Sequence, residues 1–417
     1  MLNVRDGRTI SLNDAREFYG PLSFNLMVKP AGSSCNLDCM YCYYAGKSKL
    51  TEGVDGIMSM EVLETLVKEY AAADDMGELT FNWHGGEPLL AGLDFYREAL
   101  GFQKRYASGK KVYNTIQTNG TLINDEWADF LAENDFLVGI SIDGPEDIHD
   151  RYRLDRGLRP SFERTMAGLQ CLKKAGAQFN TMSVISKASE GRGLETYSFL
   201  KSVGSRYMQF MPAVERISFS GAGKRPGIAP PYDPDAVPAP WSVSGLGFGR
   251  FMCDIFDWWV KNDVGKYYVG LFDATLAGWC GVLPGTCIYG ETCGKNPVIE
   301  RNGDIYPCDH FVYDETLMGN IMSSSLRSIV SSPSQAFFGM EKRDELPEGC
   351  LSCRYLQLCN GECPKHRFVA DGENGRINML CDGYRMFFSH TEPYMLKMRE
   401  LLEADLPPAM IMSTQEL

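Results

Sequence analysis

The chain has 417 residues, 44% apolar and 23% charged, ordinary proportions for a soluble globular protein with room for one large domain and a smaller one. Lys and Arg number 41 against 54 Asp and Glu, a net charge of −13 with no basic block, so no nucleic-acid partner is expected. Met1–Ser11 carries Arg5, Asp6 and Arg8 without an apolar core, and no apolar run is long enough to span a bilayer. A cytoplasmic protein with no membrane partner is therefore expected. In that reducing setting its 14 cysteines read first as metal ligands, not disulfides.

Residues 22–214 alternate between strand-length apolar runs and segments of helical periodicity. The expected strands are Phe24–Ala31, Leu79–His84, Val112–Thr118, Phe136–Asp143, Gln178–Ile185 and Tyr207–Val214, most of them rich in Val, Ile, Phe and Tyr. Met60–Ala73 places Val62, Leu63, Leu66, Val67 and Tyr70 on one helical face, and Ser161–Ala175 places Phe162, Met166, Leu169 and Leu172 likewise. Six strands alternating with five helices imply a parallel α/β sheet with right-handed crossovers. If it curls, it makes an incomplete barrel, and its ligand site lies beyond the carboxyl ends of the strands.

Those ends are distinctive. The first strand runs into Cys35-x3-Cys39-x2-Cys42, three thiols placed to meet at one point. Three thiolates can hold three irons of a cubane cluster and leave the fourth open to an outside ligand. A zinc loop short of one ligand is the plainer alternative. The second strand ends in His84-Gly85-Gly86-Glu87-Pro88, the third in Gln117-Thr118-Asn119-Gly120 and the fourth in Ser141-Ile142-Asp143-Gly144. Small and polar residues thus recur at the same end of successive strands, as a ligand rim requires, although Asn-Gly and Asp-Gly are also common turn formers.

From Gly221 to Gly249 six prolines fall close together, which marks a long loop, either a lid over the barrel's open side or a mere insertion. A helix over roughly Phe248–Asn262 follows, carrying Phe251, Ile255, Trp258 and Trp259. Cys171, Cys253 and Cys280 are scattered and read as small buried hydrophobes. Eight further cysteines lie at 287, 293, 308, 350, 353, 359, 363 and 381, enough for two four-ligand sets. Between Cys293 and Cys308, Asn302-Gly303 flanked by apolar runs signals a hairpin that returns Cys308 towards Cys293. Tetrathiolate zinc stabilising a small domain is the rival reading for these eight. An open cluster upstream, however, needs an electron supply that neighbouring clusters could provide. Glu392–Leu417 reads as one amphipathic helix and a loose end.

The Cys35-x3-Cys39-x2-Cys42 loop with Tyr41 before its third cysteine, together with Gly85-Gly86-Glu87-Pro88, resembles the signature of radical S-adenosylmethionine enzymes. The C-terminal cysteines resemble the SPASM extension of that superfamily. Within it, Gln117–Leu122, Val138–Pro145 and Tyr306-Pro307-Cys308-Asp309-His310 resemble the anaerobic sulfatase-maturating enzymes, with maturases that form thioether or carbon–carbon links in other peptides as the alternative. A zinc-stabilised adaptor without catalysis is more distant.

That resemblance implies a partial (β/α)6 TIM-like barrel over residues 1–265, a SPASM domain over 266–390 and a C-terminal helix and tail over 391–417. It implies three [4Fe–4S] clusters and S-adenosylmethionine as cofactors. Cys35, Cys39 and Cys42 would hold the first cluster, Cys287, Cys293, Cys308 and Cys363 the second, and Cys350, Cys353, Cys359 and Cys381 the third. Tyr41, Gly86, Ser141, Arg153 and Val214 would line the S-adenosylmethionine site, and Asp309 would act as the base. The implied reaction takes hydrogen from the Cβ of a sulfatase Cys or Ser to give Cα-formylglycine. The implied partners are an unfolded or nascent sulfatase carrying Cys/Ser-x-Pro/Ala-x-Arg and a reduced flavodoxin or ferredoxin. His84 and His310 are expected to hydrogen-bond or pack rather than catalyse.

Overall fold

The computed structural model describes residues 20–47, 56–218, 227–230, 233, 235–372 and 375–413, with short pieces at 2–3 and 9–11. Much of the N-terminal stretch, of the Pro-rich segment and of the extreme tail expected from sequence lies outside these residues. Among the described residues no helix is long and apolar enough to cross a membrane.

Six parallel strands appear as expected: β1 (Leu26–Val28), β2 (Glu78–Trp83), β3 (Lys111–Thr118), β4 (Leu137–Ser141), β5 (Phe179–Ile185) and β6 (Tyr207–Pro212). Helices α1 (Met60–Ala73), α2 (Leu93–Tyr106), α3 (Asp125–Glu133), α4 (Phe162–Ala175) and α5 (Gly193–Ser202) alternate with them. Helix α1 begins where Ser59 accepts a hydrogen bond from the Val62 backbone N–H, and its Val62, Leu63, Leu66, Val67 and Tyr70 are buried. On β2, Leu79, Phe81 and Trp83 are buried, and the Trp83 ring meets Tyr96 of α2 at 5.3 Å between centroids. Asn82 and His84 therefore take the opposite face, towards the barrel interior, where Asn82 accepts from Thr115 Oγ1 at 2.7 Å.

The sheet is wider than six strands. After helix α6 (Gly245–Asn262), β7 (Tyr268–Val269) pairs in parallel with β6, and α7 (Gly270–Trp279) follows. At the other edge the expected hairpin forms from β8 (Val298–Ile299) and β9 (Asp304–Tyr306), with Gly303 at φ +89° in its turn. Strand β8 pairs in parallel with β1, Val298 beside Met27, and β10 (Gly319–Asn320) completes the order β7-β6-β5-β4-β3-β2-β1-β8-β9-β10. The sheet stays open, with β7 and β10 at its edges. The barrel and the cysteine-rich region thus share one sheet, so the expected limit at 265 does not divide them.

Two other boundaries differ from the sequence reading. Helix α6 starts at Gly245, inside the segment read as loop, because Ser244 caps it by accepting from Gly247 N. The C-terminal helix α9 (Cys381–Glu403) starts ten residues before the expected 391 and runs through Pro393. Helix α8 (Pro333–Asp344) lies between the hairpin and the last cysteines. Of the three scattered cysteines only Cys253 is buried.

Candidate active site

The cysteine loop is held from two sides. Asp38 N and Met40 N donate to the carbonyls of Leu154 and Tyr152 at 2.7 and 3.0 Å. From the other side, Gly86 N donates to Gly32 O and Glu87 N to Ser34 O, both at 2.9 Å. A Cβ at Gly86 would lie 2.1 Å from Ser34 O, so only glycine allows this approach. The Glu87 carboxylate is buried and accepts from Leu89 N, Thr118 Oγ1 and Asn119 N, tying this loop to the end of β3. Asn119 in turn donates to Asn36 Oδ1 at 2.9 Å and approaches Cys35 Sγ at 3.8 Å.

Burial pushes the Cys35 and Cys39 thiols up to about 12 and raises Cys42 as well. Thiolates at such positions require a positive centre among them, which is what bound iron supplies. The loop is therefore chemically suited to a cluster.

Beside it stands a buried polar group. Tyr41 hydrogen-bonds Asp143, whose other oxygen is 3.0 Å from Arg153 Nε, and the Arg153 guanidinium lies 5.5 Å from the Tyr41 ring centroid. Ser141 Oγ accepts from Gln117 Nε2 at 3.0 Å. Val214 is fully buried and borders a small cavity with Glu215, Lys365 and Phe368. Ala239 and Trp241, from the Pro-rich segment, pack against Tyr41 together with Ala213 and Ile217. The described part of that segment thus packs beside the cysteine loop.

The second focus is Asp309, directly after Cys308. Its Oδ2 accepts from Tyr43 OH at 2.5 Å and lies 3.8 Å from the Lys29 ammonium. Burial opposes ionisation, yet Lys29 and Tyr43 hold this carboxyl below the ordinary range, so it stays ionised and unprotonated but is only weakly basic. Lys29 also reaches His84 Nδ1 at 3.4 Å. Burial, with Lys29 beside it, holds His84 down to about 3, and burial with Lys365 does the same to His310. Both imidazoles are neutral at physiological pH. His310 packs edge-on against Tyr43 at 4.9 Å and lies 3.5 Å from Cys363 Sγ.

The eight downstream thiols fall into two neighbourhoods. Burial raises all of those whose protonation is perturbed, and most also feel nearby thiols. Cys308 is raised further by Asp309, Cys363 and Cys287, and Cys363 by Cys293 and Cys287. Cys359 feels Cys381 and Cys350, while Cys381 feels Cys350 and Cys353. Two cations serve both neighbourhoods: Lys342 acts on Cys287, Cys293 and Cys359, and Arg367 on Cys293 and Cys350. Lys342 is buried and Arg367 half-buried, and cations so placed offset the negative charge of thiolate-bound clusters. Among the described residues no group of three His, Cys, Asp or Glu side chains is arranged to hold a single metal ion. A tetrahedral zinc would draw its sulfurs to within about 3.8 Å of one another, given a metal–sulfur distance of about 2.3 Å.

Comparison with known proteins agrees with this geometry. Residues 30–200 match the model of the Radical SAM superfamily, and residues 291–354 match that of an iron-sulfur cluster-binding domain, SPASM. The serine-type anaerobic sulfatase-maturating enzyme of Bacteroides thetaiotaomicron is 45% identical over 399 residues, covering 94% of this chain and 96% of that protein. The chain belongs to the anaerobic sulfatase-maturating enzymes. The cysteine-type enzyme of Clostridium novyi is 33% identical, over 88% of this chain and 94% of its own length. The solved structure of native anSMEcpe with bound AdoMet and Cp18Cys peptide superposes with a TM-score of 0.79 at 29% identity, covering 91% of this chain and all of that one. Membership makes the chain an iron–sulfur, S-adenosylmethionine-dependent oxidoreductase and displaces the zinc readings.

For a sulfatase-maturating enzyme the sequence reading missed three side chains. Lys29, Tyr43 and Trp241 all face the site. Tyr43 adjoins a ligand-type cysteine and was the most findable. Lys29 sits within a strand run, and nothing local marks its ammonium as buried.

Proposed function

We propose that this chain oxidises a serine, or a cysteine in the same position, within a Cys/Ser-x-Pro/Ala-x-Arg segment of an unfolded or nascent sulfatase, giving Cα-formylglycine. The observation that carries this reading is the Asp309 carboxylate, held by Tyr43 from the cysteine loop on one side and bonded through the chain to Cys308 on the other. When bound, S-adenosylmethionine and the clusters supply hydrogen-atom abstraction and the removal of one electron. The protein supplies the remaining chemistry. Asp309 takes the hydroxyl or thiol proton of the target residue, and its low basicity is offset by direct contact and by the buried setting.

In this reading Cys35, Cys39 and Cys42 hold the first cluster. Cys287, Cys293, Cys308 and Cys363 hold the one nearest Asp309, and Cys350, Cys353, Cys359 and Cys381 hold the third. Tyr41, Gly86, Ser141, Arg153 and Val214 line the S-adenosylmethionine site. The neighbourhoods of thiols described above support these sets. A cavity of about 600 Å³ lined by Arg216, Pro238, Phe368, Arg376 and Met379 lies between the Pro-rich segment and the hairpin 367–378, and supports access for an extended peptide. A reduced flavodoxin or ferredoxin would supply electrons, in the cytoplasm.

Serine is placed first because the serine-type relative is 45% identical and the cysteine-type one 33%. The test is anaerobic reconstitution followed by mass spectrometry of Ser and Cys versions of one peptide. Loss of two hydrogens from the Ser peptide, with matching 5′-deoxyadenosine, is expected. An unmodified Ser peptide beside a converted Cys peptide would reverse the order, and no aldehyde on either would overturn the reading.

A further inference from the structure

His84 is the one strand-end histidine at this site, and its hydrogen bonds determine where its proton sits. Nδ1 receives the Gly85 backbone N–H at 2.8 Å and faces the Lys29 ammonium at 3.4 Å. Both neighbours are donors, so Nδ1 is an acceptor and the ring proton resides on Nε2. Burial and the adjacent Lys29 keep the ring neutral. Among the described residues no hydrogen bond to Nε2 is made, and His84 directly follows Trp83, the last residue of β2, so that strand alternation puts the imidazole on the side opposite the buried Trp83 ring. The same Lys29 ammonium stands 3.8 Å from Asp309 Oδ2. One buried cation therefore orients an acceptor, Asp309, and a neutral donor, His84 Nε2–H, at the same mouth of the barrel.

We infer that His84 is a catalytic residue whose Nε2–H donates to the side-chain oxygen or sulfur of the target residue while Asp309 takes that atom's proton. This rests on the function proposed above and adds a second group acting on the reacting atom. The step is balanced. The X–H bond of the target breaks, an O–H bond forms on Asp309, and His84 keeps its own proton throughout. As X loses its proton its charge grows, so the Nε2–H bond strengthens during the reaction more than on binding. Lys29 acts through both partners and is a positioning residue. It fixes the His84 tautomer and faces the Asp309 carboxylate.

The experiment compares anaerobically reconstituted full-length wild type, His84→Ala and His84→Gln on the Ser peptide. Wild-type formylglycine formation is measured first, because its absence would overturn the proposed function and not the role of His84. With that in hand, His84→Ala is expected to lose about 100-fold in kcat. Its KM for peptide, iron content and peptide-independent S-adenosylmethionine cleavage should stay near wild type. His84→Gln, which retains an N–H donor, should recover at least about tenfold of the loss. Wild-type kcat in His84→Ala would overturn the inference. So would a loss that tracks missing iron, or His84→Gln no better than His84→Ala, since each would make the imidazole structural.

Discussion

The hydroxyl of Tyr43, one residue past the third cysteine of the N-terminal loop, donates to Oδ2 of Asp309, one residue past Cys308, at 2.5 Å. This contact spans 266 residues of chain and joins the two cysteine fields at the carboxylate proposed above as the base. The Tyr43 ring is itself held by His310 at 4.9 Å and by Lys365, whose ammonium lies 4.5 Å from its centroid.

Tyr43→Phe removes the hydroxyl but keeps the ring between His310 and Lys365. A hydrogen bond to a charged group contributes about 1.5–3 kcal/mol. The variant is expected to lose roughly 10- to 100-fold in kcat at about 1.4 kcal/mol per tenfold, with full iron content. The rate of formylglycine formation, set against iron per chain, checks this. Unchanged turnover would mean that Lys29 alone suffices to hold Asp309.

Gly86→Ala tests the cradle of the cysteine loop. The new Cβ would meet Ser34 O at 2.1 Å and Ser34 C at 2.5 Å, both backbone atoms that cannot rotate away. Overpacking of this kind costs about 1–3 kcal/mol, and here the strain falls on the segment leading into Cys35. The reconstituted variant is expected to lose the N-terminal cluster, seen as a drop of roughly one third in iron, if three clusters of equal iron are present. Iron at the wild-type level with normal cofactor cleavage would count against this role.

Much of this architecture was legible in the chain. The six strands were visible because buried parallel strands are dense in Val, Ile, Phe and Tyr, and Asn302-Gly303 marked its hairpin because a tight turn needs φ > 0 there. Pairing of β8 with β1 was not legible, since a strand's own residues do not name a neighbour some 270 positions away. Strand β7 has only two residues and no pattern to read. The last helix begins ten residues before the expected 391 and continues through Pro393, a residue that is rare inside helices. At the site, the thiols stood out by type and spacing, and Asp309 only through the motif that carries the family resemblance. Lys29 was not, because its contacts with His84 and Asp309 are made only after the sheet has formed.

Gly383→Ala tests how the last cysteine is anchored. Cys381 opens helix α9, and two residues on, Gly383 packs against α6, where an added Cβ would lie 2.0 Å from Gly245 O. The helices must separate to admit it. Thermal stability is expected to fall, with a cost of about 1–3 kcal/mol, and iron content should fall with it because Cys381 moves. A variant that keeps its midpoint but loses iron would place the effect at the cysteine alone.

Lys47 offers a pH dependence with a definite sign. Its ammonium is buried, donates to Val312 O at 2.7 Å and lies 3.1 Å from the Tyr313 ring centroid. Burial first, and then Lys365, lower it to about 7, while Glu215, Glu300 and Glu315 act in the opposite direction. The folded state therefore releases this proton near 7 and the unfolded chain only near 10.5. Between those values the unfolded state binds more protons, so stability rises with pH. Below about 7 both states are protonated and this contribution is flat. The midpoint of unfolding of reconstituted wild type, measured from pH 6 to pH 10 at roughly one-unit steps, should climb more steeply above pH 7 than that of Lys47→Met. Parallel curves for the two proteins would show that Lys47 keeps its proton throughout.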